Sequence, residues 1–168
     1  MNLSAKSNFP KLEFCAIDEL PKDGVWVVST TDRKEEDKLL ALQEHMESRL
    51  VVPEVWKEVL PKASLLISSA ISGGSLKERF LSAAEQRSCY LLIEPMKAAF
   101  PLPFPHGKAL PCTYVPEYSF FSKDLCCYYA HFPGSVVMWD TEESLHQKMQ
   151  LAKDMGFLGY AVKQKELS

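Results

Sequence analysis

The spacing between the strand-like runs of this chain constrains its fold more than any other feature. Val25-Trp26-Val27-Val28-Ser29, Ser64 to Ile71, Cys89-Tyr90-Leu91-Leu92-Ile93, Ser135-Val136-Val137-Met138-Trp139 and Leu158-Gly159-Tyr160-Ala161-Val162 read as buried, mostly apolar strands, the first of them β-branched and aromatic. Segments with a helical pattern separate most of them. Strands joined by crossovers of a dozen residues or more are the mark of a parallel sheet. The expectation is an α/β fold: one domain over 1–168, with a mainly parallel sheet of about five strands flanked by helices.

The intervening helices announce themselves by caps and stripes. Asp32 with Glu35 and Ser75 with Glu78 stand at capping-box spacing, as do Asp140 and Glu143. Leu39, Leu42 and Met46 form one apolar stripe; Leu76, Phe80 and Ala83 form a second, and Leu145, Met149 and Ala152 a third. Gly156 is placed to end the last helix. Val51 to Leu60, bracketed by Pro53 and Pro61, reads as a short helix or turn, and Ser119 or Ser122 as the cap of a helix through Tyr129. Leu12 to Ile17 is joined to the first strand by too short a turn for a crossover, which predicts an antiparallel edge strand. Residues 1–11 are expected to be flexible.

The length of 168 residues is enough to bury about two-thirds of the unfolded surface. A hydrophobic content of 46% and a charged content of 24% exclude disorder for most of the chain. A net charge of −3 and a pI near 5.8 lack the basic footprint of a nucleic-acid binder, so no nucleic-acid partner is expected. The first residues lack the apolar core of a secretory signal, and no run reaches the roughly 18 apolar residues of a membrane span. The expected location is cytoplasmic, without a membrane partner. The five cysteines, Cys15, Cys89, Cys112, Cys126 and Cys127, form no C-x-x-C pair and are expected to be reduced, with no disulfides. Cys127 and His131 alone do not make a zinc site. Nothing in the chain specifies a cofactor.

In open parallel sheets, ligands bind beyond the carboxyl ends of the strands. Residues after the strands are therefore the candidates: Thr30, Thr31 and Asp32; Ser72, Gly73 and Gly74; Glu94; and Asp140. Ser72-Gly73-Gly74-Ser75, between a strand and a helix, offers free amide groups to an anion, although it matches no nucleotide-binding motif. Glu94 and Asp140 are candidates for an acid/base pair, or for oxygen ligands to a divalent ion. Asp140 also has a competing duty as a helix N-cap.

Prolines and aromatics are unevenly spread. Six of the eleven prolines lie between Pro95 and Pro116, and nine of the eighteen aromatics between Phe100 and Phe132. Residues 95–118 read as a long irregular loop leaving from the same sheet edge as Glu94. Phe104 and His106 within it are candidate ligand contacts, suited to a sugar, a nucleobase or a peptide. His45 and His146 are expected to face solvent.

The last unit, Val136 to Val162, is similar to the final β/α units of barrel glycosidases, where a carboxylate or an aromatic ends a strand. The resemblance spans one supersecondary unit and includes no diagnostic catalytic motif. A complete eight-stranded barrel typically needs about 250 residues. This chain is therefore only a reduced or different relative of such barrels; separately, the two carboxylates after strands allow a glycosidase-like hydrolase using Glu94 and Asp140 as acid and base on a polar substrate. The leading expectation is a domain that binds a small anionic or polar ligand at the sheet's carboxyl edge. Its rival is a non-enzymatic interaction domain, self-associating through the aromatic loop 100–132.

Overall fold

The computed structural model describes residues 9–19, 23–70, 74–101, 110–111 and 119–163. The first half alternates as the spacing requires: β1 (Trp26–Val27), α1 (Glu36–Met46), β2 (Leu50–Pro53), β3 (Ser64–Ser68), α2 (Leu76–Gln86) and β4 (Cys89–Ile93). A run of strands follows: β5 (Lys97–Pro101), β6 (Leu110–Pro111), β7 (Phe120–Ser122), β8 (Cys127–Phe132) and β9 (Ser135–Trp139). The described chain closes with α3 (Glu142–Asp154) and β10 (Tyr160–Val162).

Two sheets result. The first has five strands in the order β1-β2-β3-β4-β10, and every pairing is parallel. Its strands alternate strictly. Trp26, Leu50, Val52, Leu65, Ile67, Leu91, Ile93 and Tyr160 point toward the helices and join Leu39, Phe80, Leu145 and Met149 in the main core. Val27, Val51, Leu66, Tyr90 and Ala161 point the other way, with Leu12, Phe14 and Leu92 packed against them. That second face is covered because the sheet curls. The segment at residues 10–15 bonds to both outer strands: the Leu12 N–H donates to the Tyr160 carbonyl at 2.7 Å and the Cys15 N–H to the Val27 carbonyl at 2.7 Å. The inward side chains thus fill a small closed barrel.

The helical stripes bury Leu39, Met46, Leu76, Phe80, Leu145, Met149 and Ala152 as expected. Gly156, at φ +99°, turns the chain out of α3.

Several sequence expectations are corrected. Leu12 to Ile17 is not an antiparallel edge: Lys11 and Phe14 make parallel bridges to Tyr160 and Val27. At the start of the 51–60 segment, Leu50, Val51 and Val52 are wholly buried in β2, and only Glu54–Trp56 forms a short 3-10 turn. Two of those three residues are β-branched, and that favours a strand.

The largest correction concerns Ser135–Trp139, which lies outside the parallel sheet. It is the centre of a second, antiparallel sheet ordered β6-β5-β9-β8-β7. Only Pro133 and Gly134, the latter at φ +75°, separate β8 from β9, and two residues suffice for a hairpin but not for a crossover. The helix expected through Tyr129 is accordingly the β7–β8 hairpin. Nor is 95–118 wholly irregular, because β5 pairs with β9 along its full length. Residues 102–109 and 112–118 lie outside the described residues. No helix among the described residues is long and apolar enough to cross a membrane, and the described cysteines, Cys15, Cys89, Cys126 and Cys127, are free thiols.

Candidate functional site

At the carboxyl ends of the parallel strands the barrel opens into a cavity of about 420 Å³, lined by Phe14, Ser29, Thr31, Pro53, Leu66, Leu92, Glu94 and Lys163. Strand alternation explains the lining. Each inward residue is followed two positions later by a rim residue on the same face. Val27 leads to Ser29, Val51 to Pro53, Leu92 to Glu94 and Ala161 to Lys163. Leu66 and Leu92 form the floor.

Glu94 is the best-anchored polar group there. Its Oε2 accepts a hydrogen bond from Ser68 Oγ at 2.8 Å, and Ser68 Oγ in turn accepts from the Ala70 N–H at 3.0 Å. The Glu94 N–H donates to Ser69 Oγ at 2.8 Å, so main chain and side chain are both fixed by the end of β3. Oε1 faces Lys163 Nζ at 3.6 Å, with a quarter of the Glu94 side chain and over half of the Lys163 side chain in solvent. Behind Ser68, the Arg79 guanidinium donates to the carbonyls of Ser68 and Ala70. Burial pushes Arg79 below the ordinary guanidinium value, while the carboxylates of Glu54 and Glu94 oppose that shift.

Asp140 ends β9, so the hairpin takes it to the second sheet, and it does not line the cavity. Its carboxylate lies 2.8 Å from Lys148 Nζ with neither side chain exposed. It also accepts from the Met96 N–H at 3.1 Å and from Ser144 Oγ at 2.9 Å. The N-cap of α3 is the next residue, Thr141, in a reciprocal box with Ser144 rather than Glu143. Thr141 has the shorter hydroxyl side chain in reach of the first amides, leaving Asp140 to Lys148. Lys148 completes its own shell by donating to the Ser69 carbonyl at 3.0 Å. Glu94 and Asp140 therefore belong to one polar network, joined through Ser69 and Lys148, but only Glu94 faces the cavity.

The glycine turn before α2 is elsewhere. Ser75 caps the helix by accepting from the Glu78 N–H at 3.4 Å, and the Leu76 N–H donates to the Asp124 carbonyl at 2.8 Å. Two amides that an anion would use are thus engaged within the chain. Gly74 and Ser75 do not line the cavity; Ser72 and Gly73, like Phe104 and His106, lie outside the described residues. Among the described aromatics, Phe121 packs on Tyr128 and Tyr128 on Trp139, holding the second sheet together. Phe120, at 59% exposure on edge strand β7, is the most exposed of them. His45 and His146 face solvent. No group of three or more potential metal ligands occurs among the described residues.

Sequence reasoning missed Phe14, Ser29, Pro53, Ser68 and Lys163. For four of these the signal was present: following the period-2 pattern to the last residue of β2 and β3, and just past β1 and β10, reaches them. Phe14 required knowing that the sheet closes.

No family model matches this chain, and no curated protein does. Several solved structures resemble it, three of them as follows. The Bacillus cereus spore cortex-lytic enzyme SleL aligns at 13% identity and a TM-score of 0.48, over 85% of this chain and 45% of its own. The Bacillus subtilis protein ydhD, described as a sporulation-specific glycosylase, aligns at 11% identity and 0.45, over 82% and 65%. The Bacillus megaterium SleL aligns at 9% identity and 0.40, over 83% and 55%. This chain spans less than two-thirds of the length of each.

Proposed function

We propose that this chain binds a small molecule carrying several hydroxyl groups at the carboxyl-end mouth of its parallel barrel. One juxtaposition carries the reading: the Glu94 carboxylate and the Lys163 ammonium stand 3.6 Å apart on a cavity otherwise walled by hydroxyl and apolar groups. A hydroxyl donates and accepts at once, and so matches a carboxylate beside an ammonium. Ser29 and Thr31 add two more groups of the same dual character. Phe14, Pro53, Leu66 and Leu92 suit the C–H face of such a ligand. A simple anion fits less well, because Glu94 would repel what Lys163 attracts. The volume falls within the roughly 300–1,000 Å³ of small-molecule sites. If the bound molecule is turned over, Glu94 is the group placed to exchange a proton with it.

The test is thermal unfolding across a panel of glucose, myo-inositol, phosphate and sulfate. A ligand at 100 times its Kd adds about 2.7 kcal/mol of stability. A shift with a polyol that disappears in Glu94→Gln supports the reading. Shifts only with phosphate or sulfate, or with nothing in the panel, contradict it.

A further inference from the structure

Residues 9–15 are held to the barrel differently from its other strands. Where β3 and β4 pair over four successive positions, this segment makes only single bridges, Lys11 to Tyr160 and Phe14 to Val27. Among the described residues its backbone hydrogen bonds to the barrel include those of Leu12 and Cys15 noted above and the Tyr160 N–H to the Pro10 carbonyl at 3.0 Å. The ring of Phe9 stacks on Tyr160 at 5.7 Å. Yet both edges of the parallel sheet end on this segment, and Phe14 supplies one wall of the cavity. The fit at the seam is close: a Cβ on Gly159 would lie 2.8 Å from the Pro10 carbonyl oxygen.

We infer that residues 9–15 are a detachable sixth strand, a strap whose docking completes the cavity, so that strap closure and cavity occupancy are coupled. The occupancy half rests on the ligand-binding reading; the closure half does not. Opening removes the Phe14 wall and uncovers the inward face at Val27 and Val51. A ligand that binds only the closed form depresses the open population by the factor 1 + [L]/Kd, and reciprocally whatever loosens the strap weakens the ligand. A weakly laddered strand beside a strong ladder is the kind of element that opens locally, well below the free energy of global unfolding.

Two arms on the full chain decide the matter. In the ligand-free arm, Val51→Cys places a thiol inside the barrel at a position with no exposure, and iodoacetamide labelling is followed by peptide mass. Adding Gly159→Ala, which alters no cavity-lining side chain, should speed labelling at position 51 by at least about tenfold. It should also speed amide exchange at Leu12 and Cys15 in the otherwise unmodified chain, a readout that does not depend on the new cysteine. Unchanged labelling or unchanged exchange overturns the strap.

In the second arm, exchange at Leu12 and Cys15 is measured with myo-inositol or glucose at 100 times the Kd found by titration. Coupling slows both amides by about 100-fold; bound probe with unchanged exchange overturns it. A titration with no binding removes the ligand-binding reading and the occupancy half with it, and leaves closure decided by the first arm.

Discussion

Lys148 and Asp140 form an ion pair at 2.8 Å with both side chains shut off from solvent. The pair stands where the two sheets meet: Asp140 ends β9 and receives the Met96 N–H from the entry to β5, while Lys148 reaches from α3 to the carbonyl of Ser69 beyond β3. Removing one partner leaves an uncompensated charge in the interior. Asp140→Asn should therefore cost about 3–5 kcal/mol in urea unfolding, whereas the double replacement Asp140→Leu with Lys148→Met should recover most of that loss. A single variant as stable as the parent would mean that the pair contributes nothing.

Ser68 and Glu94 test the rim in a different way. Ser68→Ala removes the hydroxyl that fixes the Glu94 carboxylate and should cost about 1 kcal/mol of stability. It should also loosen ligand binding by weakening the placement of Glu94. Glu94→Gln keeps an acceptor for Ser68 but loses the charge, and should leave stability nearly unchanged while reducing affinity about tenfold or more. Equal affinities of Ser68→Ala, Glu94→Gln and the parent would place the ligand elsewhere.

Gly134 turns the β8–β9 hairpin at φ +75°. A side chain there meets no neighbouring atom within 4 Å, so the cost of Gly134→Ala is conformational alone, about 1–2 kcal/mol. Comparing its urea midpoint with that of the parent measures this cost; no loss would argue against the positive-φ turn.

Burial raises the Cys89 thiol to about 11 and the Cys127 thiol to about 12. In the unfolded chain both would ionise near 9. Between those values the unfolded state has lost its thiol protons and the folded state keeps them, so the unfolded state gains relative stability. The thiols' contribution is whole below about pH 9 and falls as pH rises through about 11 and then 12. Urea midpoints at pH 8 and pH 10 should decline, and replacing Cys89 and Cys127 by Ala should flatten the decline. At pH 8 both thiols should label far more slowly than the half-exposed Cys15. Rapid labelling of Cys127 would contradict its burial.

The parallel half of the fold was legible because its signals are local. Apolar, strand-like runs gave every strand of the parallel sheet but β2, capping pairs and apolar stripes gave the helices, and long separations gave the direction of pairing. The antiparallel half was missed at Pro133-Gly134, where a two-residue turn was present in the sequence but the β-branched run after it was assigned to the wrong sheet. That one error carried Asp140 to the barrel mouth, next to Glu94, when the hairpin in fact takes it to the Lys148 pair. Glu94 itself was legible, since it follows a strand and lacks a capping duty. Phe14 was not: a single bridge at residue 14 leaves no periodic trace, and closure of the sheet depends on contacts more than a hundred residues apart, between Lys11 and Tyr160. The proline- and aromatic-rich composition suggested a loop over the cavity, but the described aromatics there stack on one another in the second sheet instead.

The ligand-binding mouth is tested most directly by mapping backbone amide shifts in a two-dimensional 15N–1H spectrum during titration with myo-inositol and glucose. Binding at the mouth produces saturable shifts concentrated at Phe14, Ser29, Thr31, Glu94 and Lys163, residues that line the cavity from segments far apart in sequence. Shifts confined to Gly74, Ser75 and Leu76, or an unchanged spectrum with both polyols, would contradict it.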